Sequence, residues 1–304
     1  MKIYFDNINT RSSSGPNGFA KKLIAEMGKD NKIYTSVPEL VKDSVIPDAQ
    51  LSFISTSNRL APVVQRLDGI YFNSAQDFQY LNSQIEKTYN ESEAVIFQSN
   101  FNKKLTESFF GVRDNSFVIS NGTNISLISE IVKFKNEKID KFKKVWLCAS
   151  SWRPHKRLKE NVRYFLEKSG PEDCLVIAGE NPDFAISDKR IFYAGHVSWE
   201  VLIALMKRSD YFLHLAWLDH CPNVVVDARA CGSHIVCSSS GGTKEIAGIN
   251  STVIEEDDWD FSPVELYNPP PMDFSRSSSG NFESEIDIIQ TSESYFKVLE
   301  SVLK

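Results

Sequence analysis

The sequence predicts an α/β protein built from two doubly wound, Rossmann-like units in tandem. Short β-branched runs alternate with longer amphipathic segments, the pattern of parallel strands joined by crossover helices. The series breaks once, at the charged stretch EIVKFKNEKIDKFKK over 130–144, and then begins again. A length of 304 residues suits two domains of ordinary size.

In the first series, residues 2–6 read as a strand, followed by a glycine-containing loop and a helix over 20–27. Strands are expected at 51–55, 63–67, 94–98 and 117–120, with helices at 76–89 and 102–110 between them. That is few strands for a unit of this type, so the first domain is expected to be shortened. The second series reads as strand 144–149, helix 158–168, strands 174–178 and 190–194, helix 199–208, strand 211–215, helix 223–231 and strand 234–237. Beyond residue 254 an acidic run at 255–258 reads as solvated surface, and 268–280 reads as loop. Helical periodicity returns over 285–304, through Ile288, Ile289, Tyr295, Phe296, Leu299 and Leu303. The expected division is 1–142, 143–284 and a last helix at 285–304 that packs back on the first domain.

Bulk properties exclude several classes. A net charge of -6 gives no footprint for strong non-specific nucleic-acid binding. The 5 cysteines form no CxxC pair and no zinc spacing, so buried reduced thiols are expected. No apolar stretch approaches the roughly 20 residues of a membrane span, and no apolar signal core follows Met1. A cytoplasmic protein is the expectation.

The chemistry concentrates between residues 145 and 247. The loop SSWRPHKR puts Arg153, Lys156 and Arg157 at the carboxyl end of a strand, where open α/β sheets bind ligands. Fixed cations there suit a departing diphosphate; a basic helix start on the surface is the competing reading. The segment FYAGHVS carries His196 in a glycine-containing turn and is weak evidence alone. In LDHCPNVVVDARACG, Pro222 suits a first helical turn, and the amides of Asn223 and Val224 then point outward as an anion site. Asp219 stands at the helix mouth, where the helix dipole alone would favour it. Asp227 interrupts an apolar run and needs a partner if buried; sugar or ribose hydroxyls would serve. In SSSGGTKEI, Gly241 and Gly242 let the backbone approach a phosphate and Thr243 adds a hydroxyl. There is no P-loop and no GxGxxG.

In order, these segments resemble glycosyltransferase family 4, retaining enzymes of the GT-B fold, with good register over 94–248. Phe97-Gln-Ser-Asn-Phe and Val118-Ile-Ser-Asn-Gly-Thr-Asn resemble the segments before that family's interdomain linker. Ser209-Asp-Tyr-Phe-Leu is similar to its ADVFL strand, and Gly241-Gly242-Thr243-Lys244-Glu245 to its GG-x-x-E turn. Asp219 and Asp227, followed by Ala228-Arg229-Ala230-Cys231-Gly232, are similar to its E-x7-E signature. The resemblance implies two domains facing a cleft, with Asp227 on the ribose, Asp219 near the donor sugar and Lys156 on the phosphates. Arg153 stands closer to that lysine than the family's arginine does. Gly15 and Gly18 resemble the glycine loop after the first strand. Both acidic positions carry Asp instead of Glu, one methylene shorter, which suits a different donor sugar such as a pentose or a shifted backbone.

In the first half, Arg66 and Asp68 occupy the region where the family often has a cleft-facing histidine. They are candidates for the acceptor or donor sugar, with an internal salt bridge as the equal alternative. Arg11–14 and 71–73 are expected on the same side. The implied reaction moves a sugar from a nucleoside diphosphate, with UDP favoured, to an acceptor hydroxyl. It is retaining and is expected to use no metal or other cofactor, since no DxD motif suited to holding Mg²⁺ or Mn²⁺ beside a donor diphosphate is apparent. The acceptor is a glycan or another hydroxyl-bearing molecule. DNA is the less favoured option, although some bacteriophage enzymes resembling this class glycosylate it. A GT-B epimerase and a degenerate nucleotide-sugar-binding protein remain as alternatives.

Overall fold

The alternation in the sequence becomes two separate sheets. A computed structural model describes residues 1–12 and 14–303; Ser13 and Lys304 lie outside the described residues. One unit comprises Met1–Asn124 with Glu285–Lys304, and the other Ile125–Ser284.

The first unit contains β1 (Lys2–Asp6), α1 (Gly15–Met27), β2 (Lys32–Tyr34), α2 (Val37–Asp43), β3 (Ala49–Phe53), β4 (Val63–Leu67), α3 (Phe78–Glu91), β5 (Ala94–Phe97), α4 (Asn100–Phe110) and β6 (Ser116–Val118). Its 6 strands run in the order β2-β1-β3-β4-β5-β6, all parallel. Helix starts follow side-chain chemistry: Asp77 accepts from Tyr80 N at 3.0 Å and Ser99 from Asn102 N at 3.1 Å.

The second unit contains α5 (Ile125–Glu130), α6 (Glu137–Asp140), β7 (Lys144–Ala149), α7 (Leu158–Lys168), β8 (Asp173–Ala178), β9 (Ile191–Gly195), α8 (Trp199–Arg208), β10 (Tyr211–His214), α9 (Asn223–Ala230), β11 (His234–Ser238), α10 (Thr243–Ile246), β12 (Thr252–Ile254) and β13 (Ser277–Ser279). Its 7 strands run β13-β12-β11-β10-β7-β8-β9. All pairs are parallel except β12 with β13. Because β7 lies between β8 and β10, the winding reverses at the β7/β10 pair. In open α/β sheets the ligand crevice forms outside the carboxyl ends of the strands at such a reversal.

The unit boundary falls after Asn124, not near residue 142. The intervening segment is tied to the second unit: Lys207 Nζ donates to Ser129 O at 3.1 Å and Ile131 O at 2.6 Å, and Phe134 N to Ala204 O at 2.9 Å. The last helix, α11 (Ile288–Ser301), joins the first unit. Its Tyr295, Val298 and Leu299 enter the core formed by Phe19, Leu23, Phe53 and Ile96. The expected loop over 268–280 contains β13, a serine strand defined by its pairing with β12 alone.

Candidate functional site

The two loops leaving β7 and β10 carry the residues that the sequence singled out. After β7 the chain enters a short 3-10 turn, Pro154–Lys156, and Arg157 takes φ +52° before α7 starts. Asn161 on α7 is buried and staples this turn, its amide donating to Lys156 O at 3.2 Å and Arg157 O at 2.7 Å. The same side chain accepts from Leu215 N at 3.3 Å, where the chain leaves β10. Trp217 N donates to His155 O at 2.7 Å, a second tie between the loops.

That bracing brings Lys156 to Asp219, with Nζ 2.5 Å from Oδ2. His214, at the end of β10 and 4% exposed, places Nε2 at 2.8 Å from the same oxygen. His220 N donates to Asp219 Oδ1 at 3.0 Å. Burial pushes the Asp219 carboxyl up, but the Lys156 ammonium and His214 outweigh it and hold the group well below the usual range. Burial also keeps three imidazoles neutral: His214 is lowered, His155 is pushed down to about 3 and His220 to about 4. The cluster therefore carries one cation and one carboxylate in a nest of uncharged rings. Arg153 caps the turn and is exposed.

On the far side of Asp219, Gly242 N donates to Asp219 O at 2.7 Å, and Gly241 bridges Asp219 in parallel register. Gly241 has φ +84°, and a Cβ there would stand 2.5 Å from Asp219 O. Its close approach is thus to the Asp219 backbone, which fixes the glycine turn beside the carboxylate. Thr243 is fully buried, and its Oγ1 has no hydrogen-bond partner. Pro222 is the N-cap of α9 and stands outside the first helical turn, in extended geometry. Asn223 and Val224 form the start of α9. Asp227 is buried, and its carboxylate accepts from Trp199 Nε1 at 3.0 Å, a partner inside the unit. His196 is exposed past β9 and pairs with Glu180 at 2.9 Å.

Two expectations in this unit are corrected. Arg157 does not join Lys156: its guanidinium is 1% exposed and holds Glu256 through two bonds of 3.0 and 2.8 Å, with Pro270 O at 2.8 Å. Glu256, read as solvated surface, is therefore turned inward, and it also accepts from Ser238 Oγ. A cavity of about 440 Å³ lined by Arg229, His234, Ser251 and Glu283 shares none of the residues of the Lys156 cluster.

In the first unit, Gly15 and Gly18 form the opening turn of α1, with Gly18 N donating to Ser14 O at 2.7 Å. Both glycines thus lie within the helix, and Pro16 at its start suits that first turn. Arg66 is fully buried and is not acceptor-facing. It pairs with Asp68, donates to Tyr295 OH at 2.9 Å and to Asn121 Oδ1 at 2.6 Å, and stacks on Phe19 and Phe53 at 4.3 and 4.9 Å. The internal salt bridge is what forms. Asp68, 12% exposed, also accepts from Gln98. Arg11 is exposed, as is Tyr71, while Phe72 and Asn73 are buried; Ser13 in the stretch 11–14 is outside the described residues.

Sequence reasoning gave no role to His214 or Asn161. A histidine closing an apolar strand and an asparagine inside an amphipathic helix carry no spacing signal. The strand-end position of His214 was the available clue. No group of three potential metal ligands occurs among the described residues. No helix among them is long and apolar enough to cross a membrane.

Residues 129–261, inside the second unit, match the family described as Glycosyl transferases group 1. No curated protein matches the chain. Among solved structures, the Anabaena Alr3699/HepE structure in complex with UDP-glucose superposes with a TM-score of 0.63 at 15% identity, over 100% of this chain and 92% of that one. AviGT4, a glycosyltransferase involved in avilamycin A biosynthesis, gives 0.63 at 13% identity, over 99% and 98%. WaaG, a glycosyltransferase involved in lipopolysaccharide biosynthesis, gives 0.57 at 9%, over 100% and 93%. These likenesses show the GT-B fold, two Rossmann-like α/β domains. With the group 1 domain in its second unit, the chain is a glycosyltransferase.

Proposed function

We propose that the chain transfers a sugar from a nucleoside diphosphate sugar, with UDP as the favoured nucleotide, to an acceptor hydroxyl, retaining the anomeric configuration. The observation that carries this reading is the Lys156–Asp219 pair of 2.5 Å at the sheet's winding reversal, beside the start of α9. UDP-glucose, UDP and glucose in the Anabaena structures of this fold favour a uridine donor.

In this reading Lys156 and Arg153 meet the diphosphate, with the start of α9 at Asn223 and Val224 and the turn at Gly242 and Thr243 beside it. Asp227, its rotamer held by the Trp199 indole N–H, takes the ribose hydroxyls. His196 and Gly241 border the donor. Asp219 lies beside the sugar, its shorter side chain leaving room of about one methylene. Negative charge that develops on the leaving diphosphate is met by fixed cations, so the reaction needs no metal. The departing phosphate oxygen takes the acceptor hydroxyl's proton as the new glycosidic bond forms on the same face. A carboxylate general base is then unnecessary. The acceptor class is a glycan or a comparable polyhydroxyl molecule.

The test is thermal stabilisation against a panel of UDP, GDP and ADP sugars, followed by product analysis with and without acceptors. A shift with one donor and acceptor-dependent release of its nucleotide are expected. No shift with any donor would sink the proposal. An isomerised sugar without acceptor would make the chain an epimerase, and binding without turnover a nucleotide-sugar-binding protein.

A further inference from the structure

We propose that His214 is a positioning residue that sets the diphosphate affinity of the site by fixing Asp219 and, through it, the Lys156 ammonium. The inference rests on the glycosyltransferase reading above and goes one step further into its donor site.

Asp219 Oδ2 is shared: Lys156 Nζ lies at 2.5 Å and His214 Nε2 at 2.8 Å. The three groups differ in rigidity. Lys156 ends a three-residue turn and carries a long stem, which loses much rotamer freedom when fixed. Asp219 sits in a loop whose backbone is held by Gly241 and Gly242, which leaves its carboxylate to be placed by side-chain partners. His214 alone stands on a strand with neighbours on both sides, β7 and β11, and only 4% of its surface is exposed. It is the fixed point from which the other two take their place.

The identity of the residue supports the same role. His214 follows Phe212 and Leu213 and precedes Leu215, all buried. An apolar side chain would fill such a place without the desolvation cost that a ring nitrogen brings. The contact with Asp219 compensates for that cost, and a neutral ring donates Nε2–H while leaving the full charge of the carboxylate to Lys156. A protonated ring would compete with the lysine for it; burial keeps the ring neutral.

The chemistry of the contact lets the role be separated from packing. Glutamine carries an amide nitrogen as many bonds from Cβ as the imidazole Nε2, whereas the asparagine amide nitrogen corresponds to Nδ1 and stops short of Asp219. Both variants are uncharged and polar. Affinities for UDP and UMP are measured by calorimetry on wild type, His214→Gln and His214→Asn. If the wild type prefers GDP or ADP, that pair replaces the uridine one.

The preference for the diphosphate over the monophosphate should fall about tenfold in His214→Asn, the worth of one charge-assisted bond. In His214→Gln it should stay within about threefold, with monophosphate affinity kept in both variants. Unchanged preference in His214→Asn overturns the inference, and so does a parallel loss of both affinities, which marks a packing role. A wild type that binds no nucleoside diphosphate removes the glycosyltransferase reading itself, a result separable from the other two.

Discussion

Gly241 and Asp219 touch through their backbones: the glycine has φ +84°, and any Cβ on it would lie 2.5 Å from the Asp219 carbonyl oxygen and 2.8 Å from its nitrogen. Gly241→Ala therefore meets both an unfavourable backbone region and a fixed neighbour. We expect a loss of about 1–3 kcal/mol in urea unfolding. Nucleoside diphosphate binding should weaken as well, since the contact holds Asp219. A variant with wild-type stability would show that the turn relaxes.

Arg66→Met should be among the most damaging single changes in the first unit. It strips Asp68, Asn121 and Tyr295 of a common partner inside the core. Breaking a buried ion pair from one side costs about 3–5 kcal/mol. Arg66→Lys should recover little of it, because one ammonium cannot serve three directions and two aromatic faces. Denaturant midpoints of the two variants decide this; near-wild-type stability for Met would refute it.

Acid should destabilise the second unit well above the range where carboxylates titrate. His155 and His220 fall from 6.5 to about 3 and about 4 on folding, chiefly through burial. Between those values and 6.5 the unfolded chain binds more protons, so stability declines as pH drops through 6.5. At pH 5 the cost is about 2 kcal/mol for each ring. The Asp219 contribution, with its pKa lowered on folding, is lost only further down, as pH falls below 3.8. Unfolding midpoints at pH 7 and pH 5 test the sign, and His155→Asn should flatten the difference. A midpoint independent of pH would contradict it.

Asp227→Ala should lose most donor affinity and remove the carboxylate that accepts from the Trp199 indole N–H at 3.0 Å. Losing that bond adds a stability cost of about 1–3 kcal/mol. Asp227→Asn keeps an acceptor for Trp199 and should lose affinity with little stability. Equal donor affinity in Asp227→Asn and wild type would remove the ribose role.

What the sequence made legible follows from range. Lys156, Asp219 and Gly241 lie in the segments that follow strand ends, and the periodicity of the strands places those ends without knowledge of packing. Arg157 and Glu256 were misread because the choice between solvent and partner lies across 99 residues of chain. Four acids in a row at 255–258 do not say which one turns inward. Arg66 shows the same limit: its hydroxyl partner on α11 is 229 residues away, so an inward strand charge and a site charge look alike. β13 is invisible for another reason, since serines acquire a strand conformation there only by pairing with β12.

The first unit is assembled from two stretches of chain with all of the second unit between them. During translation β1 to β6 leave the ribosome early, yet the helix that seats Tyr295 on Arg66 is made only after residues 125–284. The second unit is contiguous and can close as soon as it emerges. The nascent first unit instead holds a guanidinium whose hydroxyl partner has not yet been translated, and the older half of the molecule is the last to be finished.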